Sequence, residues 1–162
     1  MRTALMAALV WTGLCVPALA QNKTSAKDLL VKSEVQTAVS MLQAIYHKHQ
    51  QGEMTLDQAK KLGADLLREL SYGSDGYFWA DTSEGVNVVL YGRKDVEGRN
   101  RLEDKDEKGT CYIKEFLAKA KAGGGFVEYW FTKKGGAKTM PKRSYVAPFA
   151  PFGWVVGSGY YR

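Results

Sequence analysis

The chain has 162 residues, 45% of them apolar and 25% charged, with a net charge of +6. That is one domain's worth of chain, enough for a single sizeable core. The basic balance suggests anionic partners, but Lys and Arg alternate with Asp and Glu, as in Arg93-Lys94-Asp95-Val96-Glu97, which describes a solvated surface and not a nucleic-acid-binding stripe.

The N-terminus reads as an export signal. Arg2 is a short basic n-region, and Ala4 to Leu14 form an uncharged apolar run. Pro17 breaks the run, and Ala18-Leu19-Ala20 supplies a small-x-small cleavage site before Gln21. The run falls short of the roughly 20 residues that span a bilayer. The expectation is a signal peptide over 1–20, cleaved after Ala20, and one periplasmic or secreted domain over 21–162. An uncleaved membrane anchor is the competing reading. Lipid attachment at Cys15 is disfavoured, because Leu14 stands where a small residue is needed. No later apolar stretch approaches membrane length, so no transmembrane segment is expected in the mature chain. Cys111 is then alone and cannot form an internal disulfide; pairing between chains or service as a nucleophile are open to it, but with no catalytic setting around it buried filler is the simpler reading.

Ser25 to Gln50 predict a long amphipathic helix, with Val31, Val35, Val39, Leu42, Ile45 and His49 at three- to four-residue steps. Ser25 with Asp28 resembles a capping box at its start. Thr55 with Gln58 is a better one, opening a second helix with an apolar stripe of Ala59, Leu62, Leu66 and Leu70. At Tyr72 the texture changes to Gly, Val and aromatics. Strands are predicted at Tyr77–Ala80, Val86–Tyr91, Phe126–Thr132, Lys142–Ala147 and Trp154–Tyr161, with a short helix over Ile113–Ala122. Two helices followed by a five-strand antiparallel meander describe an α+β domain.

Catalytic motifs are scarce. His47 and His49 sit two apart on a helix and face different sides, so they cannot share a metal. Asp104, Asp106, Gly109 and Glu115 approach a calcium loop, but Lys108 occupies a ligand position, and a polar turn leading into a helix is the simpler reading. Gly157-Ser158-Gly159 and Gly123-Gly124-Gly125 open no helix and carry no Lys-Ser/Thr, so neither is a phosphate loop. No nucleophile stands beside a base at a recognised spacing. No metal or cofactor is expected.

What remains is a set of aromatics with scattered cations in the sheet half. Alternation puts Tyr77 and Trp79 on one strand face and Phe78 on the other. Tyr hydroxyls, an indole N–H and a Lys or Arg would suit a small carboxylate. A core of packed aromatics is the alternative use of the same residues.

Several stretches together resemble single Cache domains, the extracellular sensors of bacterial chemoreceptors and histidine kinases. They are Tyr72-Gly73-Ser74-Asp75-Gly76-Tyr77-Phe78-Trp79, Glu97-Gly98-Arg99-Asn100 with Asp106-Glu107-Lys108-Gly109, Gly124-Gly125-Phe126-Val127-Glu128-Tyr129-Trp130, Pro141-Lys142-Arg143-Ser144-Tyr145, and the closing run Phe149 to Tyr161. The resemblance spans roughly Lys27 to Arg162. It implies a long N-terminal helix, plus the second helix, on a PAS-like five-stranded antiparallel sheet, and a small organic ligand held between the sheet and its covering loops. Many relatives carry a His-Pro pair where this chain has Leu90-Tyr91-Gly92-Arg93, which leaves the ligand's identity open. Relatives also run from the last strand into a membrane helix, whereas this chain stops at Arg162.

The sequence therefore predicts a non-catalytic binding module that presents a small organic ligand, such as a short carboxylate, to a membrane receptor, kinase or transporter. The expected ligand contacts are Tyr77, Trp79, Tyr91, Arg93, Lys142 and Tyr145. Lys142 and Tyr145 are three apart, so a regular strand turns them to opposite faces. Tyr145 is the one expected to face the ligand unless Lys142 lies in the preceding loop. A structural or interaction protein with a filled pocket is the alternative, and a hydrolase is a third.

Overall fold

The computed structural model describes residues 25–91 and 93–162. The expected signal peptide and its cleavage site lie outside the described residues. No helix among these residues is long and apolar enough to cross a membrane.

Helix α1 spans Ala26–Gln50. The Ser25 hydroxyl caps it by accepting from the Asp28 N–H at 3.1 Å. The box is not reciprocal, because the Asp28 carboxylate turns away into the sheet. There it accepts from Arg143 Nε at 2.8 Å, Arg143 Nη2 at 3.1 Å and the Tyr160 hydroxyl at 3.0 Å. The Arg143 guanidinium holds the Asp28 carboxyl below the usual carboxylate range. This buried contact pins the first turn of α1 to two strands more than a hundred residues away. Further along, Val31, Val35, Ala38, Leu42 and Ile45 are buried, and Val39 packs at the edge of the same core.

Helix α2, Leu56–Glu69, starts with the complete Thr55–Gln58 capping box. Its buried stripe differs from the expected one. Ala59, Gly63 and Leu67 face inward, while Leu62 and Leu66 are exposed. The physical reason is close approach: a Cβ at Gly63 would lie 2.8 Å from Leu42 Cδ2, so the glycine lets α2 settle on α1 along its own row. A leucine row at that interface would hold the helices apart.

Among the described residues the sheet has six strands, not five: β1 Ser71–Tyr72, β2 Gly76–Thr82, β3 Asn87–Leu90, β4 Gly125–Thr132, β5 Thr139–Phe149 and β6 Trp154–Tyr161. Every pairing is antiparallel, in the order β1-β2-β6-β5-β4, with β3 on β2. It is not a meander. The last strand inserts between β2 and β5, with Phe78 opposite Ser158 and Tyr145 opposite Ser158 on its other side. Strand β6 is buried on both faces from Trp154 to Gly159, which accounts for its run of small and apolar residues. Strand β5 is longer than expected and includes Pro141 and Pro148. Pro141 forgoes only a donor, and its carbonyl accepts from the Arg162 N–H at 3.0 Å.

The sheet divides two cores. On one face α1 and α2 enclose Leu42, Leu67, Phe78, Phe149, Phe152 and Trp154. On the other, helix α3 (Tyr112–Lys121) and the long segment before it cover Tyr77, Trp79, Ile113, Phe116, Tyr129 and Val146. That segment is tied down polar group by polar group. Arg68 of α2 forms a bidentate pair with Glu97. The Asn87 N–H donates to Arg99 O, and the Arg101 N–H to Gly85 O. The near-calcium motif is a turn: Asp106 accepts from the backbone N–H groups of Lys108, Thr110 and Trp130. Among the described residues no acidic, His or Cys group is arranged to hold a metal.

The Leu42 side chain is fully buried where α1, α2 and the sheet meet. Leu42→Ala is expected to destabilise the domain by about 2–5 kcal/mol, read as a lower urea midpoint with an unchanged slope. An unshifted midpoint would show that the α1–α2 core does not hold the domain together.

Candidate functional site

Strand alternation assembles the site on the α3 face. Tyr77 and Trp79 on β2, Lys142 and Ser144 on β5, Tyr129 and Phe131 on β4, and Tyr161 on β6 all project to that side. Register makes them neighbours, since Lys142 lies opposite both Tyr129 and Tyr161.

Lys142 is the centre of the arrangement. It is 2% exposed. Its ammonium donates to the Tyr77 hydroxyl at 2.6 Å. It also lies 4.2, 4.8, 5.3 and 5.0 Å from the ring centroids of Tyr77, Trp79, Phe131 and Tyr161. The Tyr77 hydroxyl continues to that of Tyr161 at 3.3 Å, which donates to Thr132 O at 3.1 Å. Ring faces and one hydroxyl replace water poorly, so burial lowers the Lys142 pKa to about 7. Burial likewise pushes the Tyr77 and Tyr129 hydroxyls far up, leaving both as neutral hydrogen-bonding groups.

A second cation, absent from the sequence-based set, completes the site. Arg101 is 4% exposed and is carried in by the loop before α3. Its Nη2 donates to the Tyr112 hydroxyl at 2.7 Å and its Nε to Asp104 at 3.2 Å. Its Nη1 lies 3.7 Å from Asp81 Oδ1. Burial raises the Asp81 carboxyl to about 6, with Arg101 opposing the shift. Arg101 thus has acidic neighbours of its own. Among the described residues Lys142 has no carboxylate partner: Asp81 stands against Arg101, and Asp75 pairs with Lys133 at 2.8 Å.

The inner space bounded by Tyr77, Trp79, Arg101, Tyr112, Tyr129, Phe131 and Lys142 is about 10 Å³, room for one water. The Trp79 indole N–H lies over Gly157 of β6 and has no acceptor among the described residues. Outside the inner space, Tyr77 also borders a hollow of about 310 Å³ with Asp75, Tyr91, Lys133, Lys134 and Tyr161. Tyr77 stacks on Tyr91 at 5.8 Å, and Lys134 Nζ sits 3.4 Å above the Tyr91 ring. Among the described residues Tyr77 alone borders both the inner space and this hollow.

The six expected contacts are thus distributed unevenly. Tyr77, Trp79 and Lys142 border the inner space. Tyr91 and Arg93 border an outer hollow of about 240 Å³, where Arg93 is exposed and paired to Asp95 at 2.9 Å. Tyr145 is on the opposite face, edge-on to Phe126 and beneath Lys32 of α1. The parity expected for Lys142 and Tyr145 is therefore reversed, because β5 begins at Thr139 and carries Lys142 within the paired strand. Gly157 has a role that phosphate-loop reasoning missed: a Cβ there would strike the Trp79 indole, so glycine lets that ring lie against β6.

The Lys142 pKa of about 7 lies below the ordinary lysine value of 10.5. Between those values the unfolded chain binds more protons than the folded one. The empty domain should therefore gain stability as pH rises from about 7 towards 10, and carry the full cost of a buried charge below 7. Lys142→Met is expected to raise the melting temperature at pH 6 and to change it far less at pH 10. Equal shifts at both pH values would show that Lys142 is not charge-strained.

The chain matches the family described as Single Cache domain 2 over residues 23–162. It is 34% identical over 141 residues to the sensor histidine kinase MctS of Rhizobium johnstonii, covering 87% of this chain and 30% of that protein. It is 27% identical over 137 residues to the methyl-accepting chemotaxis protein McpP of Pseudomonas putida, covering 84% of this chain and 25% of that protein. It therefore spans less than a third of either relative. Among solved structures, it superposes with a TM-score of 0.81 at 31% identity on a Cache chemosensory domain described for carboxylic acid recognition, covering 84% of this chain and 93% of that one. A periplasmic sensor domain of a chemotaxis protein superposes with a TM-score of 0.80 at 31% identity, covering 82% and 93%. The α+β architecture and the ordered motifs from Tyr72 to Tyr161 agree with these matches, and the chain belongs to the single Cache domain 2 family of sensor domains.

Proposed function

We propose that the domain binds a small organic carboxylate in the space between the sheet and α3, without catalysis, and passes its occupancy to a membrane receptor, kinase or transporter from the periplasmic or extracellular side. The observation that carries this reading is Lys142, a buried cation with no acidic partner among the described residues. A carboxylate placed against it would gain a charge-assisted hydrogen bond and relieve the cost of the isolated charge. Tyr77, Trp79 and Arg101 are the other inner contacts we assign. Carboxylic acid recognition in a solved Cache neighbour supports the same chemistry. The export signal read at residues 1–20 supports the location.

The filled-pocket alternative draws on the inner space being only about 10 Å³. A ligand entering from the outer hollow reaches Lys142 by displacing Tyr77, which borders both spaces. The outer hollow of about 310 Å³, at the small end of ligand sites, is the approach to the inner space for a compact solute.

Melting curves of the purified domain with acetate, propionate, propionamide and propylamine distinguish the readings. A carboxylate at a hundredfold excess over its Kd should add about 2.7 kcal/mol of stability, seen as a melting temperature several degrees higher. The neutral amide and the amine should produce no shift. Arg101→Ala should remove the carboxylate effect. If no carboxylate of any size shifts the curve, the pocket is filled core and the reading fails.

A further inference from the structure

We infer that the pocket takes up a proton together with its anion, so that the domain responds to an acid, anion plus proton, and loses affinity as pH rises. This rests on the reading of the pocket as a carboxylate site and adds how that site is regulated.

The geometry has three parts. First, among the described residues Lys142 has one hydrogen-bond partner, the Tyr77 hydroxyl, which serves a neutral amine as readily as an ammonium. Second, the ionisable groups facing it from the surrounding elements give its positive charge little support. From β2 come Tyr77 and, further off, Asp81, which stands against Arg101. The turn before β2 carries Asp75, already paired with Lys133. Helix α3 and the loop before it bring Tyr112 and the permanently charged Arg101. Strand β4 brings Tyr129 and β6 brings Tyr161, both phenols. Third, at 2% exposure water cannot solvate an ammonium. Ring faces offset part of that loss, but the pKa still falls to about 7.

An anion entering this space changes the balance at one atom. With a carboxylate in contact, the charged form of Lys142 becomes the favoured one, and the amine binds a proton. The proton comes from solvent when the ligand enters as the anion, or from the ligand itself when it enters as the acid. Either way the bound state holds one carboxylate and one ammonium. Below pH 7 the ammonium is already present and uptake vanishes. Above it each bound ligand requires a proton, and affinity should fall about tenfold per pH unit.

Calorimetry with propionate in HEPES and in Tris, at about pH 8 and matched ionic strength, reads this coupling directly. Asp81, at about 6, is already ionised there and has little proton to exchange. The expected result is a binding enthalpy that differs between the buffers by the uptake of close to one proton per ligand, declining as the pH is lowered towards 7. Any propionate binding retained by Lys142→Arg, whose charge is permanent, should show no buffer dependence. Binding with equal enthalpy in both buffers would overturn the coupling while leaving the carboxylate site intact. Proton uptake that persists in Lys142→Arg would also overturn it, by placing the proton elsewhere. Absence of propionate binding across the pH range would instead remove the carboxylate site and the coupling with it.

Discussion

A lysine held inside an aromatic core is the constraint on which this domain is organised. An isolated buried ammonium is expensive, and proteins keep one only where its geometry is imposed by surrounding structure. Here that structure is the sheet. Lys142 faces inward because β5 is paired on both sides, with β4 through Tyr129 and with β6 through Tyr161. Both partners are aromatic, and the Tyr161 ring closes around the ammonium together with Phe131 from β4 and Tyr77 and Trp79 from β2. The insertion of β6 between β2 and β5 brings these strands together. A meander would have left β2 and β5 far apart and the cage unbuilt.

The two faces of the sheet do different work. The α1–α2 face is an ordinary apolar core, closed tightly at Gly63 and Leu42. The α3 face is aromatic and carries two buried cations, with an N–H that finds no acceptor. Strand β6 belongs to both. Its Tyr161 hydroxyl meets Tyr77 beside Lys142, while Tyr160, one residue earlier and on the opposite face, donates to Asp28 in the first turn of α1. Arg143, next to Lys142 on β5, reaches the same carboxylate. The start of the long helix and the end of the last strand are thus bound through one buried acid, within two residues of groups that line the pocket.

Much of the fold was legible because its signals are local. The capping residues Ser25 and Thr55 mark both helix starts, and the alternation at Tyr77, Phe78 and Trp79 assigns faces correctly. The buried row of α2 departs from the leucine stripe that periodicity predicts, because the contact depends on a missing side chain at Gly63. Strand order was not legible, since hairpin signals describe neighbours in sequence and β2 pairs with a strand more than seventy residues away. The site was half legible. Tyr77, Trp79 and Lys142 share a face that alternation can propose, but choosing Lys142 over Tyr145 depends on the phase of β5, which one residue's shift inverts. Arg101 carried no signal at all. It stands in a polar, aperiodic loop, and only the backbone bonds from Arg99 and Arg101 to the β2–β3 hairpin bring it inside.

The central claim is that a carboxylate completes the charge of Lys142. A crystal structure of the domain grown with propionate tests it most directly. The account predicts a carboxylate oxygen about 2.7–2.9 Å from Lys142 Nζ, in an inner space enlarged by displacement of Tyr77, with Arg101 lining the same site. Propionate held only in the outer hollow, on Lys133, Lys134 or Arg93, with the Lys142–Tyr77 contact and the closed inner space unchanged, would contradict it.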